Sequence, residues 1–430
     1  MDFVYLYLRK ITKTHMNLKQ FLLVSLVSLV SYGQVATEIN PPDYIKSITI
    51  KGNSQQSELP IIQLGDGILL EFDALNGDED DFYYVIEHYD FDWRKSNLSK
   101  PEYLEGFDNQ RIQDYENSFN TYQIYSHYKL RVPNKQTKRL LKTGNYMIKI
   151  FDEDDTLMFS RKFIVYQEQA LVGVSIKRSR DVKFINQKQS VDFSIVSKDF
   201  NFNNPNKTIK TLIIQNNNLN TAISDLKPMY TIGKELIYRY DTESSFWAGN
   251  EYLFFDTKDP RSSNAATRYI DLEDLYHNYL YTDINRSQRP YTYNPDINGN
   301  FVITALDGDD ISIEADYIWV HFYLNSPQVS NNERIHIYGN FNNYDLSEDT
   351  EMAFNEESGF YENALLLKQG FYNYKYVVQD ANGELIEGAI SGNFDQTENN
   401  YKVVVYYRDL GARYDSVIGL GEGTSVKITN

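Results

Sequence analysis

A two-residue alternation of apolar and polar side chains recurs along this chain, and it limits the possible folds more than any other feature. Because successive side chains of a β-strand point to opposite faces, such alternation predicts half-buried strands. Aromatic residues, which pack well on a pleated surface, make up 15% of the chain and favour the same structure. We therefore predict an all-β protein built from β-sandwiches. The alternation is seen in three sets, Ile68, Leu70 and Phe72, then Tyr128, Leu130 and Val132, then Tyr146, Ile148 and Ile150.

Turn signals separate these segments. Glycine after asparagine or aspartate supplies the positive φ angles that tight hairpins need. Helical periodicity is nearly absent, and the one helix candidate covers residues 269–280. The turn dipeptides are Asn76-Gly77, Asn298-Gly299, Asp307-Gly308 and Asn382-Gly383.

The chain is too long for one ordinary core. Its 430 residues suggest two to three domains. Strand runs and polar gaps predict a first sandwich at residues 36–166, a second at 171–324, a linker at 325–332 and a third at 333–408. The glycine-containing end, residues 411–430, is predicted to be a flexible tail.

The N-terminus has the pattern of a secretory signal peptide. After Met16, a short basic region with Lys19 precedes an apolar run at residues 21–30, which is too short to span a bilayer. We predict cleavage after Gly33, so that residues 1–33 are removed; the segment before Met16 is either a mis-assigned start or an extended basic region. No other segment approaches a transmembrane helix, so we expect the mature protein to be exported, soluble or peripheral, and not itself membrane-spanning; its lack of cysteine is compatible with a periplasm.

Charge and composition exclude several functions. A formal net charge of −18 would repel a phosphate backbone, so we predict no nucleic-acid partner and expect any large partner to be neutral or basic at the contact. With no cysteine, disulfides and thiolate metal sites are excluded. The six histidines have no zinc-helix spacing, so we name no metal site and predict no cofactor. These histidines are His15, His88, His127, His277, His321 and His336.

Acidic clusters occur at residues 78–81, 152–155 and 307–310. They are interpreted as solvated turns, with calcium as the alternative, because none has the spacing of an EF-hand loop. Motifs for a nucleophile elbow, a phosphate loop or a metalloprotease helix are absent, and we name no catalytic residue. A carboxylate pair for glycoside hydrolysis is made by the fold and not by sequence spacing, so an exported enzyme stays open as a third alternative.

Two aromatic strands have more than one interpretation. A stripe of Tyr372, Tyr374 and Tyr376 could stack sugars, contact a protein or pack into a core. The segment at residues 317–324 alternates aromatic with aliphatic side chains, so both faces are expected to be covered, as in a central strand. An outer-membrane barrel would need longer and more regular runs, and soluble sandwiches are therefore favoured.

The predicted third sandwich resembles the glycogen-binding type of carbohydrate-binding module. The resemblance rests on residues 337–344, 359–361, 370–378 and 400–403 and implies an immunoglobulin-like β-sandwich. Where that family has its first sugar-stacking tryptophan, this chain has Tyr344, and no tryptophan lies near residues 382–385. Together with the alternation, this predicts tandem immunoglobulin-like β-sandwich domains.

Between Asp92 and Tyr146 lies a block that is dense in aromatic and hydrogen-bonding residues. It contains Tyr103-Leu104-Glu105-Gly106, Asp114 to Thr121, Tyr125 to Pro133 and Thr143-Gly144-Asn145-Tyr146. With residues 246–251 and 293–301, the block resembles the type IX secretion system plug protein family. Tyr103, Tyr115 and Tyr125 could equally fill the first sandwich, so no partner-binding residue is named.

That resemblance implies a non-enzymatic periplasmic protein of Bacteroidota-type bacteria. Its expected partner is the outer-membrane barrel of the type IX translocon, whose periplasmic opening it would close by steric obstruction. The alternative is an exported glycan-binding accessory protein, which rests on the C-terminal resemblance.

Overall fold

A computed structural model describes residues 35–52, 58–426 and 428. The predicted signal peptide, residues 1–33, lies outside this range. Strands account for 47% of the chain, and the predicted all-β class is confirmed. Helices in the described residues are single turns, namely α1 (Lys100–Tyr103), α2 (Pro205–Thr208), α3 (Ile311–Glu314) and the 3-10 turns Asn340–Asn342 and Glu348–Thr350.

The first eleven strands form one sandwich. One sheet has the order β1-β3-β8-β7, the facing sheet has the order β2-β11-β10-β4-β6, and β5 pairs with β9 at the side. The strands are β1 (Ile45–Lys51), β2 (Ile61–Gln63), β3 (Ile68–Ala74), β4 (Tyr83–Tyr89), β5 (Leu104–Gly106), β6 (Gln110–Arg111), β7 (Asp114–Asn117), β8 (Ser126–Val132), β9 (Thr137–Leu140), β10 (Gly144–Phe151) and β11 (Leu157–Tyr166).

The core of this sandwich consists of the side chains that the alternation placed on one face of each strand. Phe72 and Tyr128 stack with ring centroids 5.1 Å apart, and Phe82 meets Phe72 edge-on at 5.2 Å. Tyr146 and Ile148 are fully buried from the opposite sheet. Burial of such rings and aliphatic side chains contributes on the order of 1.5–3 kcal/mol each.

The next seven strands begin a second sandwich but do not complete it. They form a sheet with the order β12-β13-β17-β16, with β18 also on β13, and the beginning of a facing sheet, β14-β15. The strands are β12 (Ala170–Arg178), β13 (Lys188–Ser197), β14 (Ile209–Gln215), β15 (Asn218–Ser224), β16 (Tyr230–Ile232), β17 (Glu235–Tyr238) and β18 (Ser245–Trp247).

A third sandwich is inserted after β18. One of its sheets is β20-β21-β24-β27-β26 with β22 on β24, and the other is centred on β28, which pairs with β19, β23, β25 and β29. The strands are β19 (Leu253–Asp256), β20 (Thr267–Leu272), β21 (Tyr276–Leu280), β22 (Asp283–Ile284), β23 (Phe301–Ile303), β24 (Tyr317–Asn325), β25 (Arg334–Tyr338), β26 (Ala353–Asn355), β27 (Phe360–Lys368), β28 (Gly370–Gln379) and β29 (Leu385–Ile386).

The last two strands return to the second sandwich. There β30 (Asn400–Tyr407) pairs with β14, and β31 (Ser416–Thr424) pairs with β30, which completes the sheet β15-β14-β30-β31. The expected boundaries at 171–324 and 333–408 are therefore wrong. The strand at 317–324 lies in the third sandwich, and residues 325–332 connect two strands within it. No local pattern marks a strand whose neighbour is 190 residues away, such as Val403 beside Ile213.

The prediction of a flexible tail at residues 411–430 is wrong over residues 416–424, because these form β31, a strand of the second sandwich. Its glycines allow the strand to approach β12 closely. A Cβ on Gly421 would lie 2.6 Å from the Val172 Cγ1 atom and 2.7 Å from the Val172 carbonyl oxygen, and Gly419 and Gly423 face the same strand. The glycines of this segment therefore serve close packing.

The helix candidate at residues 269–280 is a β-hairpin made of β20 and β21. Tyr269 and Tyr279 are cross-strand partners whose rings stack with centroids 4.2 Å apart and planes 9° from parallel. Cross-strand aromatic pairs stabilise antiparallel strands, which explains why tyrosine-rich sequence forms a hairpin here.

Candidate functional site

The aromatic block between Asp92 and Tyr146 divides into core and surface. Tyr103 and Tyr146 are buried in the first sandwich, and the Tyr146 hydroxyl donates to the Lys142 carbonyl at 2.8 Å. Phe107 and Phe119 are exposed over 72% and 66% of their surfaces. Core packing thus accounts for Tyr103 and Tyr146, whereas Tyr122 of the same block is 56% exposed.

The loop between β7 and β8 joins the first sandwich to the third. Backbone N–H groups of Tyr122 and Gln123 donate to the buried Asp316 carboxylate at 3.0–3.3 Å, and the Phe119 N–H donates to the Ile313 carbonyl at 2.9 Å. The Tyr125 hydroxyl donates to the Ala315 carbonyl at 2.8 Å. Part of the block therefore acts as an internal junction.

A buried ionic cluster lies at the same junction. Asp73 of β3 is fully buried, and its carboxylate is 2.6 Å from the Lys368 ammonium of β27 and 2.7 Å from the Tyr317 hydroxyl of β24. On the first-sandwich side, His127 Nδ1 lies 2.5 Å from the same carboxylate. A bulge in β1 places the Ser47 hydroxyl 2.7 Å from Tyr317.

The protonation states of this cluster follow from its contacts. Burial raises the pKa of Asp73, but the charge of Lys368 and the bonds to His127 outweigh it, so the pKa lies below its ordinary value. Burial lowers the pKa of His127, and the hydrogen bond to Asp73 together with the Glu71 carboxylate 3.7 Å away more than reverses this, so its pKa is raised. The cluster is a charged, hydrogen-bonded contact that orients the third sandwich on the first.

An apolar junction joins the first and second sandwiches. Ile164 of β11 packs with Leu212, Val404, Tyr406 and Val417 of the second sandwich. The Tyr406 hydroxyl donates to Asn145 Oδ1 at 2.7 Å. Asn145 belongs to the Gly-Asn-Tyr element of the block, which therefore serves contact between sandwiches.

Tyrosines and asparagines form the junction between the second and third sandwiches. Asn218 Nδ2 donates to the Tyr338 hydroxyl at 2.8 Å, and the Tyr344 hydroxyl donates to the Asn216 carbonyl at 3.2 Å. Each of the three sandwiches thus contacts the other two.

The chain crosses between the second and third sandwiches twice, and the two crossings are bonded to each other. The Gly249 N–H donates to Asn393 Oδ1 at 3.0 Å, and Thr397 Oγ1 donates to the Gly249 carbonyl at 2.9 Å. Asn250 Nδ2 donates to the Ser391 carbonyl at 2.7 Å. Gly249 and Asn250 belong to the motif at 246–251, so this part of the sequence helps to fix how the third sandwich is inserted.

Glu251 is the buried acid of this crossing. Its Oε1 accepts hydrogen bonds from the Tyr291 hydroxyl and from the Glu398 N–H, the latter at 3.1 Å. Burial, which the two hydrogen bonds offset only in part, raises the pKa of Glu251 to about 7.

The positions that would bind a sugar are covered. Tyr344, at the place of the first sugar-stacking tryptophan, is 5% exposed and lies under the second sandwich. Tyr372, Tyr374 and Tyr376 are buried in the third core, where the last two donate to Asp283 Oδ2 at 2.7 and 2.9 Å. The sugar-stacking interpretation of that stripe is therefore wrong. The segment at 337–403 that resembles a carbohydrate-binding module does not form one domain, because its last strand, β30, lies in the second sandwich.

The expectation that both faces of β24 are covered holds for only part of the strand. Ile318, Val320 and Phe322 are fully buried on the inner face. On the outer face Tyr317 lies beneath the first sandwich, but Trp319, His321 and Tyr323 are half-buried and open to one side.

The described histidines and acidic clusters have structural contacts. His88 lies 2.7 Å from Ser96 Oγ, and His336 lies 3.0 Å from Thr350 Oγ1. Asp152 Oδ1 accepts from the Thr156 N–H at 2.7 Å within its turn, and Asp310 Oδ1 accepts from the Ser312 N–H at 2.9 Å at the start of α3. Within the described ranges, no three His, Asp or Glu side chains are grouped to hold a metal ion. His15 lies outside those ranges.

Residues 45–167, which span the first sandwich, match the family model described as "Type 9 secretion system plug protein 1st domain". The whole chain is similar to the crystal structure of a hypothetical protein from Parabacteroides merdae, at 33% identity and a TM-score of 0.86, with 90% of this chain and 98% of that one covered. The first sandwich therefore matches the first domain of the type IX plug protein family. This match suggests a role in type IX secretion at the cell envelope.

Other comparisons add no argument. The outer capsid protein Hoc of bacteriophage RB49 gives 11% identity over 88% of this chain and 97% of that one, with a TM-score of 0.13. A Bacteroides ovatus glucan-utilisation protein, SGBP-B, gives 10% identity over 81% and 96%, with a TM-score of 0.10. No curated protein matches the chain. Among the described residues, no helix is long and apolar enough to cross a membrane.

Several residues that position the sandwiches carry no sequence signal. Asp73 and Lys368 are 295 positions apart, and neither lies in a motif. Glu251 lies in the element at 246–251, but its role depends on Tyr291 and Glu398, which only the fold brings near. Tyr279 and His277 were hidden in the segment interpreted as a helix.

Proposed function

We propose that the protein is a non-enzymatic periplasmic plug that binds and closes the periplasmic opening of the outer-membrane translocon barrel of type IX secretion. The observation that carries this proposal is the packing of each sandwich against the other two. An object that obstructs a wide pore must keep its shape under thermal motion, and three mutual junctions restrain rotation more than a linear chain of domains does.

The junctions differ in chemistry, and each resists separation. Apolar contact joins the first and second sandwiches, whereas the first and third are joined by a buried ion pair. Breaking such a pair by separating its partners is strongly unfavourable, because a buried charge is left unpaired. Steric closure needs no reactive group, in keeping with the structural use of the described histidines and carboxylates.

Deletion of the gene tests this proposal. Uptake of large antibiotics or dyes should rise in the deletion strain, because an open barrel conducts them, and should return to normal on complementation. Deleting the barrel as well should remove the leak. Unchanged uptake with the translocon intact, or a leak that persists without the barrel, would contradict a plug.

A further inference from the structure

The outer face of the sheet β20-β21-β24-β27-β26 is covered at one end and open at the other. At the covered end, Tyr317 and Lys368 are paired across β24 and β27 and lie beneath the first sandwich. The open end is the aromatic face, defined here as Tyr269, His277, Tyr279, Trp319, His321 and Tyr323. It therefore continues a surface that already binds a folded domain.

Stacked rings make this face rigid. Tyr279 lies between Tyr269, at a centroid distance of 4.2 Å, and His321, at 4.1 Å, with planes within about 11° of parallel. His277 Nδ1 lies 2.9 Å from His321 Nε2. Rings that are already held by their neighbours lose little conformational freedom on binding, which favours affinity.

The orientation of the rings disfavours a sugar. Neighbouring strands stand about 4.8 Å apart, so rings that stack across strands present their edges outward and cover one another's faces. A pyranose binds to an open ring face, whereas tyrosine hydroxyls and the indole N–H at ring edges suit carbonyl oxygens of a protein. Within the described residues, Trp319 Nε1 and the Tyr323 hydroxyl have no hydrogen-bond partner.

Charge further limits the occupant. Burial and the neighbouring His277 lower the pKa of His321 to about 4, so its ring is uncharged at neutral pH. Two carboxylates, Glu273 at 3.9 Å from His277 and Glu362 near Tyr323, lie around His321 with one guanidinium, Arg268, so the rim has a net negative charge. An acidic rim on a chain of net charge −18 repels a second copy and an anionic lipid surface. A basic rim on the partner is complementary to it.

We propose that the aromatic face is the docking surface for a protein partner that presents backbone carbonyl groups at its centre and basic side chains at its rim. This inference rests on the proposed function, in which the partner is the periplasmic mouth of the translocon barrel. Aromatic centres with polar rims are typical of interfaces that bind and release.

The test is site-specific photo-crosslinking in the native organism, followed by copurification from detergent-solubilised membranes. A photoreactive residue at Tyr279 or His321 should crosslink to the barrel. The same residue at Tyr230, which is 58% exposed on the second sandwich, should not. The double variant Trp319→Ala/His321→Ala should lower recovery of the barrel at least ten-fold, while the matched pair Tyr230→Ala/Ile232→Ala leaves it unchanged.

Thermal melting of each purified variant shows whether the variant still folds, so that lost binding can be distinguished from unfolding. Crosslinking at Tyr279 leaves Trp319 and His321 unchanged and therefore does not depend on the folding of the double variant. Equal recovery of the barrel with both double variants, or a barrel crosslink from Tyr230 alone, would contradict docking at the aromatic face but not the proposed plug function. Failure of the unaltered protein to recover the barrel would overturn the plug as well. Retention on a polysaccharide that depends on Trp319 and His321 would replace the protein partner with a glycan.

Discussion

Asp73 and Lys368 show how a single pair of residues joins two sandwiches. Lys368→Met removes one partner and leaves the Asp73 carboxylate buried, so we expect the free energy of unfolding to fall by about 3–5 kcal/mol. Urea denaturation measures it. Lys51→Met is the control, because the Lys51–Glu71 pair at 3.0 Å is partly exposed and its loss should cost below about 1 kcal/mol. Equal decreases in the free energy of unfolding in the two variants would contradict a stabilising role for the buried Asp73–Lys368 pair.

Glu251 is expected to make stability depend on pH. Its pKa is raised from 4.5 to about 7 in the folded chain, so its contribution is fully present below pH 4.5 and is lost as the pH rises to about 7. Glu251→Gln keeps the acceptor oxygen without the ionisation. As the pH rises from 4.5 to about 7, the free energy of unfolding of the variant should therefore increase relative to that of the natural chain by on the order of 2–3 kcal/mol.

Urea unfolding at several pH values from 4.5 to 8 checks this difference. The exposed Glu357→Gln is a matched control whose curve should run parallel to that of the natural chain. Parallel curves for Glu251→Gln would show that Glu251 ionises equally in the folded and unfolded states.

At the scale of elements, the close approach of β31 to β12 makes a sharp prediction. In Gly421→Ala the new methyl group would meet the Val172 carbonyl at 2.7 Å, so we expect a loss of about 1–3 kcal/mol from strain. Gly173→Ala in β12 is the control, since its Cβ would find only Ser194 Oγ at 3.6 Å. Thermal melting compares them. A tolerated alanine at Gly421 would mean that the two strands separate easily.

At the scale of the whole molecule, mutual packing predicts cooperative unfolding. Because each sandwich is stabilised by contacts with the other two, and the third is inserted in the second, calorimetry should show one transition with matching calorimetric and van't Hoff enthalpies. Lys368→Met weakens one junction and should broaden the transition. Three separable transitions in the unaltered chain would contradict a single rigid body.

The sequence by itself determined the all-β class, the inner faces of strands such as Ile68 to Phe72, and, through the block between Asp92 and Tyr146, the likeness of the first sandwich to a plug protein domain. These depend on alternation and short-range order, which a strand records within a few residues. The tertiary structure alone decided that β30 and β31 complete the second sandwich, that Tyr344 is covered, and that Asp73 meets Lys368. Such contacts join residues hundreds of positions apart, and their stabilisation appears only when packing removes both partners from water.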